Sequence, residues 1–134
     1  RLCFWLKCNP VPINSKINYL TNGYEVFATF VKDSKPIFNS EYDNGIYEER
    51  EDNIVYQCPI VHGKERTKHT TQKPLSIVID LIRKQSNPGD KVLDCFVGSG
   101  TTAVGCKMTD REFIGCDIIQ ENIDISNNRL EEIL

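Results

Sequence analysis

Lys91-Val92-Leu93-Asp94-Cys95-Phe96-Val97-Gly98-Ser99-Gly100-Thr101-Thr102 is the stretch on which the fold turns. It follows the turn signal Asn87-Pro88-Gly89-Asp90, five of its first seven residues are apolar, and the apolar run stops at Gly98. That pattern predicts a short buried strand, a glycine turn and a helix starting near Thr101. Gly98 and Gly100 permit a tight turn and a close approach of backbone to a ligand, and a helix N-terminus presents unpaired N–H groups. The combination reads as a ligand cradle.

Two ligand classes compete for it. Gly98-x-Gly100-x-x-Ala103 satisfies the loose dinucleotide pattern, a weak match by itself. Asp94, at the strand end just before the glycines, would repel a pyrophosphate but suits a ligand with a cationic amino-acid end, such as S-adenosylmethionine. A phosphate loop is set aside, because Thr101 stands where Lys is needed. Downstream, Arg111-Glu112-Phe113-Ile114-Gly115-Cys116-Asp117 predicts the next buried strand, with Asp117 at its end, 17 positions after Gly100. In open parallel sheets ligands lie beyond the carboxyl ends of strands, where a carboxylate can accept both hydroxyls of a ribose. The competing reading makes Asp117 a cap for the following helix.

Asp94-Cys95-Phe96-Val97-Gly98-Ser99-Gly100-Thr101-Thr102 resembles the D-P-F-x-G-S-G-T-T motif of the DNA amino-methyltransferases, with Cys95 where that family usually has proline. His69-Thr70-Thr71-Gln72-Lys73-Pro74 resembles their H-x-T-Q-K-P segment, in the same order and 20 residues upstream. Trp5-Leu6-Lys7-Cys8-Asn9-Pro10-Val11-Pro12 is similar to their W-x-K-x-N-P-x-P stretch, and the segment from Gly23 to Lys32 to their H-E-x-I-L-x-F-x-K strand, with Tyr24 in place of histidine. The resemblance implies an α/β, Rossmann-like methyltransferase sheet with flanking helices. It implies S-adenosylmethionine bound through Asp94, Phe96, Gly98, Gly100, Thr101 and Asp117, with Lys73 near the carboxylate of its methionine part.

The resemblance also implies a missing part. In these enzymes a D-P-P-Y-type tetrad precedes the W-x-K-x-N-P-x-P stretch, holds the target amine and stacks on the flipped base. No such tetrad occurs in residues 1–134, so no catalytic residue is expected in this chain. Residue 1 is arginine and the one methionine is Met108, and the expectation is a piece of something longer: a single incomplete domain, with strands and a target-side loop over 1–60 and the cofactor-binding half over 61–134. The absent strand is expected between Lys91–Phe96 and Leu2–Leu6, supplied by the upstream portion of the same protein or by a second copy. Double-stranded DNA is the implied partner. A nicotinamide-binding Rossmann domain and a non-catalytic methyltransferase-fold subunit are the alternatives.

Composition sets the bounds. At 134 residues, 40% hydrophobic and 26% charged, the chain can bury one core. Cysteines at 3, 8, 58, 95, 106 and 116 form no C-x-x-C pair, no metal site is read from them, and no apolar run is long enough for a signal peptide or membrane span. Buried free thiols in a bacterial, archaeal or phage-encoded cytoplasmic protein are expected. A net charge of −3 argues against DNA binding over the whole surface, yet Lys64, Arg66 and Lys68 form a basic stretch able to face phosphate.

Along the chain, Leu2–Leu6 predicts a strand ended by Pro10 and Pro12, and the alternation after Gly23 predicts another of about seven residues. Residues 33–52 read as a long loop and residues 53–60 as a short edge strand. Leu75, Val78, Ile79 and Ile82 place one apolar helix face through Arg83, with Pro74 in the first turn. A last helix is expected from about Glu121 to Leu134, with Ile123, Leu130 and Leu134 inward.

Overall fold

The computed structural model describes residues 1–10, 22–32, 35–39 and 55–133. The strands are β1 (Leu2–Lys7), β2 (Tyr24–Ala28), β3 (Val55–Cys58), β4 (Lys91–Asp94) and β5 (Glu112–Gly115), and the helices are α1 (Leu75–Gln85), α2 (Thr101–Met108) and α3 (Gln120–Glu131). The C-terminal half therefore runs helix, strand, helix, strand, helix, as the periodicity predicts. Most of the long 33–52 loop lies outside the described residues.

The strands form two sheets, ordered β2-β1-β3 and β4-β5. β1 pairs antiparallel with β2 and parallel with β3, while β4 and β5 are parallel, with Asp94 opposite Gly115. β1 thus has hydrogen-bonded neighbours along both edges. This corrects the expectation of an absent strand beside Leu2–Leu6: among the described residues the open edges for a strand joining the two sheets are those of β4 or β5 on one side and of β2 or β3 on the other. β2 is also shorter than its alternation suggests. Its ladder to β1 ends where Thr29 N–H meets the Arg1 carbonyl at 2.9 Å, and Phe30 beyond it is 90% exposed.

α1 carries more apolar surface than a single stripe. Trp5, Tyr56, Cys58 and Ile77 form a buried cluster, with Phe27, Ile60 and Leu81 packed on it, so Ile77 and Leu81 face the three-stranded sheet. Val78, Ile79 and Ile82 instead meet α2 at Gly105, where a Cβ would lie 3.0 Å from Ile82 Cδ1. α1 is a wedge between sheet and helix, buried on two sides. Pro74 is its N-cap and it runs to Gln85, where Asn39 closes it: the Asn39 side chain donates to the Arg83 and Ser86 carbonyls, both at 2.9 Å. These are orphan acceptors of the last turn.

The strands predicted as buried are covered on one face only. Leu93 is 66% and Ile114 56% exposed, on the face of β4-β5 opposite the helices. Leu2 and Val26 are likewise exposed on the three-stranded sheet. Alternation along each strand puts every second side chain on the face that no described residue covers. The six cysteines are free, but Cys8, Cys95 and Cys116 are exposed rather than buried. Cys106 in α2 is fully buried, and that burial pushes its thiol up to about 11. In the last helix Ser126 is buried and Ile123 and Leu130 are only partly so, while Leu134 lies outside the described residues. No described helix is long and apolar enough to cross a membrane.

Candidate functional site

β4 ends at Asp94, and the chain turns through Gly98 and Gly100, both at positive φ (51° and 76°), into α2. Only glycine adopts these angles without strain. Asp94 Oδ1 accepts the Phe96 N–H at 2.9 Å, which bends the chain out of the strand. Beyond β5, Asp117 Oδ2 accepts the Gly98 N–H and Oδ1 the Ile119 N–H, each at 2.9 Å. Those bonds, together with one from Asn122, hold the Asp117 carboxyl below the usual carboxylate range; the Ile119 bond contributes most, and the nearby His69 adds to it. Asp117 therefore fastens the glycine turn and opens α3 at once. Three of the roughly four lone-pair positions of the carboxylate are so occupied, which leaves acceptor capacity for one hydroxyl.

The reason for Gly100 lies behind the loop, not in front of it. A Cβ there would sit 2.2 Å from Ser126 Oγ, 2.6 Å from its Cβ and 2.8 Å from its Cα, inside α3. At Gly98 a Cβ would come to 3.1 Å from the His69 ring. The close approach expected against a ligand is, at Gly100, an approach against the following helix. Thr101 is a second correction. Its side chain is turned inward, with the residue 5% exposed; Oγ1 donates to the Lys73 carbonyl at 3.3 Å and accepts from Arg129 at 3.2 Å. It braces the loop and offers no free hydroxyl to a ligand.

Phe96 and Ile118, 89% and 101% exposed, are the most exposed apolar side chains beyond the ends of β4 and β5. Lys73 Nζ lies 3.0 Å from Glu25 Oε2 and donates to the Thr71 carbonyl at 3.3 Å. Burial pushes the Glu25 carboxyl up, but hydrogen bonds from Lys73 and Lys7 outweigh it and hold it below the usual range. Asp94, Phe96, Gly98, Gly100 and Asp117 are thus gathered at the carboxyl ends of β4 and β5, with Lys73 attached through Thr101. Lys64, Arg66 and Lys68 lie elsewhere, exposed along a cavity of about 610 Å³ that α2 and α3 also line. Glu121, Asp124 and Glu132 share that cavity and oppose the basic stretch in sign.

Four contributors escape the sequence reading. His69 stacks its ring over Gly98 and meets Asn122 through Nδ1 at 3.2 Å. Arg129 donates to the Ser99 carbonyl at 2.7 Å, and burial pulls its guanidinium down from its ordinary value. Ile118 follows Asp117, and Glu25 holds Lys73. His69 lies inside a quoted motif and was within reach; a lone arginine on a polar helix carries no signal.

A family model described as "DNA methylase" (N6_N4_Mtase) matches residues 2–128. The chain belongs to the DNA methylase family. Among relatives of this family, the type II methyltransferase M.HinfI of Haemophilus influenzae is 36% identical over 138 residues, covering 96% of this chain and 38% of the relative. The type II methyltransferase M2.MboI of Moraxella bovis is 33% identical, with 96% and 48% covered. The chain thus spans about half the length, or less, of these relatives. The solved structure of an M1.HpyAVI–SAM complex superposes with a TM-score of 0.76 at 32% identity, over 97% of this chain and 61% of that one. The cytosine-N4-specific PvuII DNA methyltransferase, 17% identical over 96% of this chain and 49% of its own, shares the fold with a TM-score of 0.79. Nothing in these DNA methylase matches favours the nicotinamide alternative.

Proposed function

We propose that this chain is the cofactor-binding portion of a DNA methyltransferase that moves a methyl group from S-adenosylmethionine to the exocyclic amine of adenine (N6) or cytosine (N4). The observation that carries the reading is the pair of carboxylates, Asp94 and Asp117, at the carboxyl ends of adjacent parallel strands, with Asp117 tied to the Gly98 N–H of a positive-φ glycine turn. A pyrophosphate would meet two negative charges there, whereas a sulfonium ligand with an α-ammonium group and a ribose meets two acceptors. The residues present fit that cofactor. Asp117 receives a ribose hydroxyl through its remaining lone pair, Asp94 faces the cationic end, Phe96 and Ile118 flank the adenine, and Lys73 pairs with the carboxylate. Bound there, the cofactor supplies an electrophilic methyl group on sulfur.

The groups that accept the amine's hydrogens come from a tetrad-bearing segment outside residues 1–134, the upstream portion of the same protein, while a second copy of this chain is the alternative partner across the open sheet edges. The uncovered apolar faces of both sheets support that reading, because a further layer of chain would bury Leu93, Ile114, Leu2 and Val26. Lys64, Arg66 and Lys68 contact DNA phosphate in the assembled enzyme. The test is methyl transfer to unmethylated DNA by this chain alone and by this chain with a tetrad-bearing segment, with the solution mass measured alongside. Transfer is expected only from the pair; robust transfer by a monomer of the chain alone contradicts the proposal.

A further inference from the structure

Three charged side chains from three separate segments converge beside the glycine turn. Glu25 on β2 places Oε1 3.0 Å from Lys7 Nζ and Oε2 3.0 Å from Lys73 Nζ. Lys7, at the end of β1, is largely buried, with its ammonium 5.2 Å from the centre of the Trp5 ring, and Trp5 is the cross-strand partner of Glu25. The W-x-K stretch, the strand after Gly23 and the T-Q-K-P segment thus share one charge cluster. Its position relative to the cradle is set, because the Lys73 carbonyl accepts the Thr101 hydroxyl in the first turn of α2.

The donor count gives the cluster a use. An ammonium has three N–H donors. Lys73 directs one to Glu25 and one to the Thr71 carbonyl, and its side chain is half exposed. One donor remains for an incoming anion. A free lysine must be immobilised when it binds, whereas a lysine already clamped loses less freedom at that step.

We propose that Glu25 is a positioning residue for the amino-acid end of the cofactor: by clamping Lys73 it aims the remaining ammonium N–H at the ligand's carboxylate. This rests on the assignment of Lys73 made above. The sign of the effect separates positioning from plain electrostatics. Removing a negative charge near a carboxylate site should tighten binding on Coulombic grounds; removing a clamp should weaken it.

The experiment is a calorimetric titration of the wild-type chain, Glu25→Gln, Lys73→Met and the double variant. The two ligands are S-adenosylmethionine and 5′-methylthioadenosine, which lacks the amino-acid end. Glu25→Gln should weaken S-adenosylmethionine binding about two- to fivefold, the range of a partly exposed ion pair, and leave 5′-methylthioadenosine unchanged. In the Lys73→Met background it should add no further loss. Tighter or unchanged S-adenosylmethionine binding, an equal loss for both ligands, or an additive loss in the double variant overturns the inference while leaving the proposed function in place. A wild-type chain that binds neither ligand contradicts the proposed function itself and the inference with it.

Discussion

Gly100→Ala is the substitution whose cost follows most directly from the structure. Gly100 has φ 76°, and a non-glycine residue held there carries roughly 1–2 kcal/mol of backbone strain. The new methyl group would also lie 2.2–2.8 Å from atoms of Ser126, one of them in the α3 backbone, so α3 must shift. Overpacking of that kind costs about 1–3 kcal/mol. The sum, about 2–5 kcal/mol, is a large fraction of a domain's stability. Gly98→Ala is the control: its φ of 51° brings the same strain, but the methyl meets the His69 ring at 3.1 Å, a side chain able to rotate aside. Thermal denaturation should therefore place Gly100→Ala well below Gly98→Ala, by on the order of 10 °C. Ser126→Gly in the Gly100→Ala background should recover part of the difference, measured against Ser126→Gly alone, since the α3 backbone stays 2.8 Å from the new methyl. Equal melting temperatures for the two alanine variants, or complete recovery in the double variant, would refute the packing argument.

Asp117 has a depressed carboxyl, so the stability it contributes is present above its ordinary value near 3.8 and is lost as pH falls through the lower folded value; melting temperature followed down through that range should fall in the wild type and lack this component in Asp117→Asn. Asp117→Ala should also weaken S-adenosylmethionine binding roughly a hundredfold, and an unchanged dissociation constant would remove the ribose assignment. Arg129→Ala frees the Ser99 carbonyl and Thr101 hydroxyl and should lower stability by about 2 kcal/mol in urea denaturation, with Arg129→Lys recovering little, because a lysine lacks the planar fork. Replacing Lys64, Arg66 and Lys68 by alanine in the assembled enzyme should flatten the logarithmic salt dependence of DNA binding by up to about 2.7, at about 0.9 per phosphate contact. An unchanged slope would return that stretch to ordinary solvated surface.

The parts of the fold readable from sequence are those governed by local rules. The β4 strand, the glycine turn and the start of α2 at Thr101 follow from an apolar run broken by Gly98 and Gly100, and the α1 stripe follows from helical periodicity. What escaped was set by distant neighbours. Ile77 and Leu81 are off the chosen stripe because α1 is buried on two sides, which no single helical period encodes. Leu93 and Ile114 belong to apolar runs and yet are exposed, since burial depends on what covers the second face of the sheet. The same holds in the site: Asp94 and Asp117 were found from their places at strand ends, whereas the inward turn of Thr101, the packing of Ser126 against Gly100, the Arg129 brace and the Glu25–Lys73 pair join residues tens of positions apart.

The central claim, that the turn between β4 and α2 and the end of β5 cradle S-adenosylmethionine, is tested most directly by following backbone amide NMR resonances of the chain during titration with S-adenosylmethionine and, separately, with NAD. Saturable shifts centred on Phe96, Gly98, Gly100 and Ile118 with S-adenosylmethionine, and none there with NAD, are expected. Shifts at those amides with NAD but not with S-adenosylmethionine, or S-adenosylmethionine shifts confined to the cavity beside Lys64 and Asp124, would contradict it.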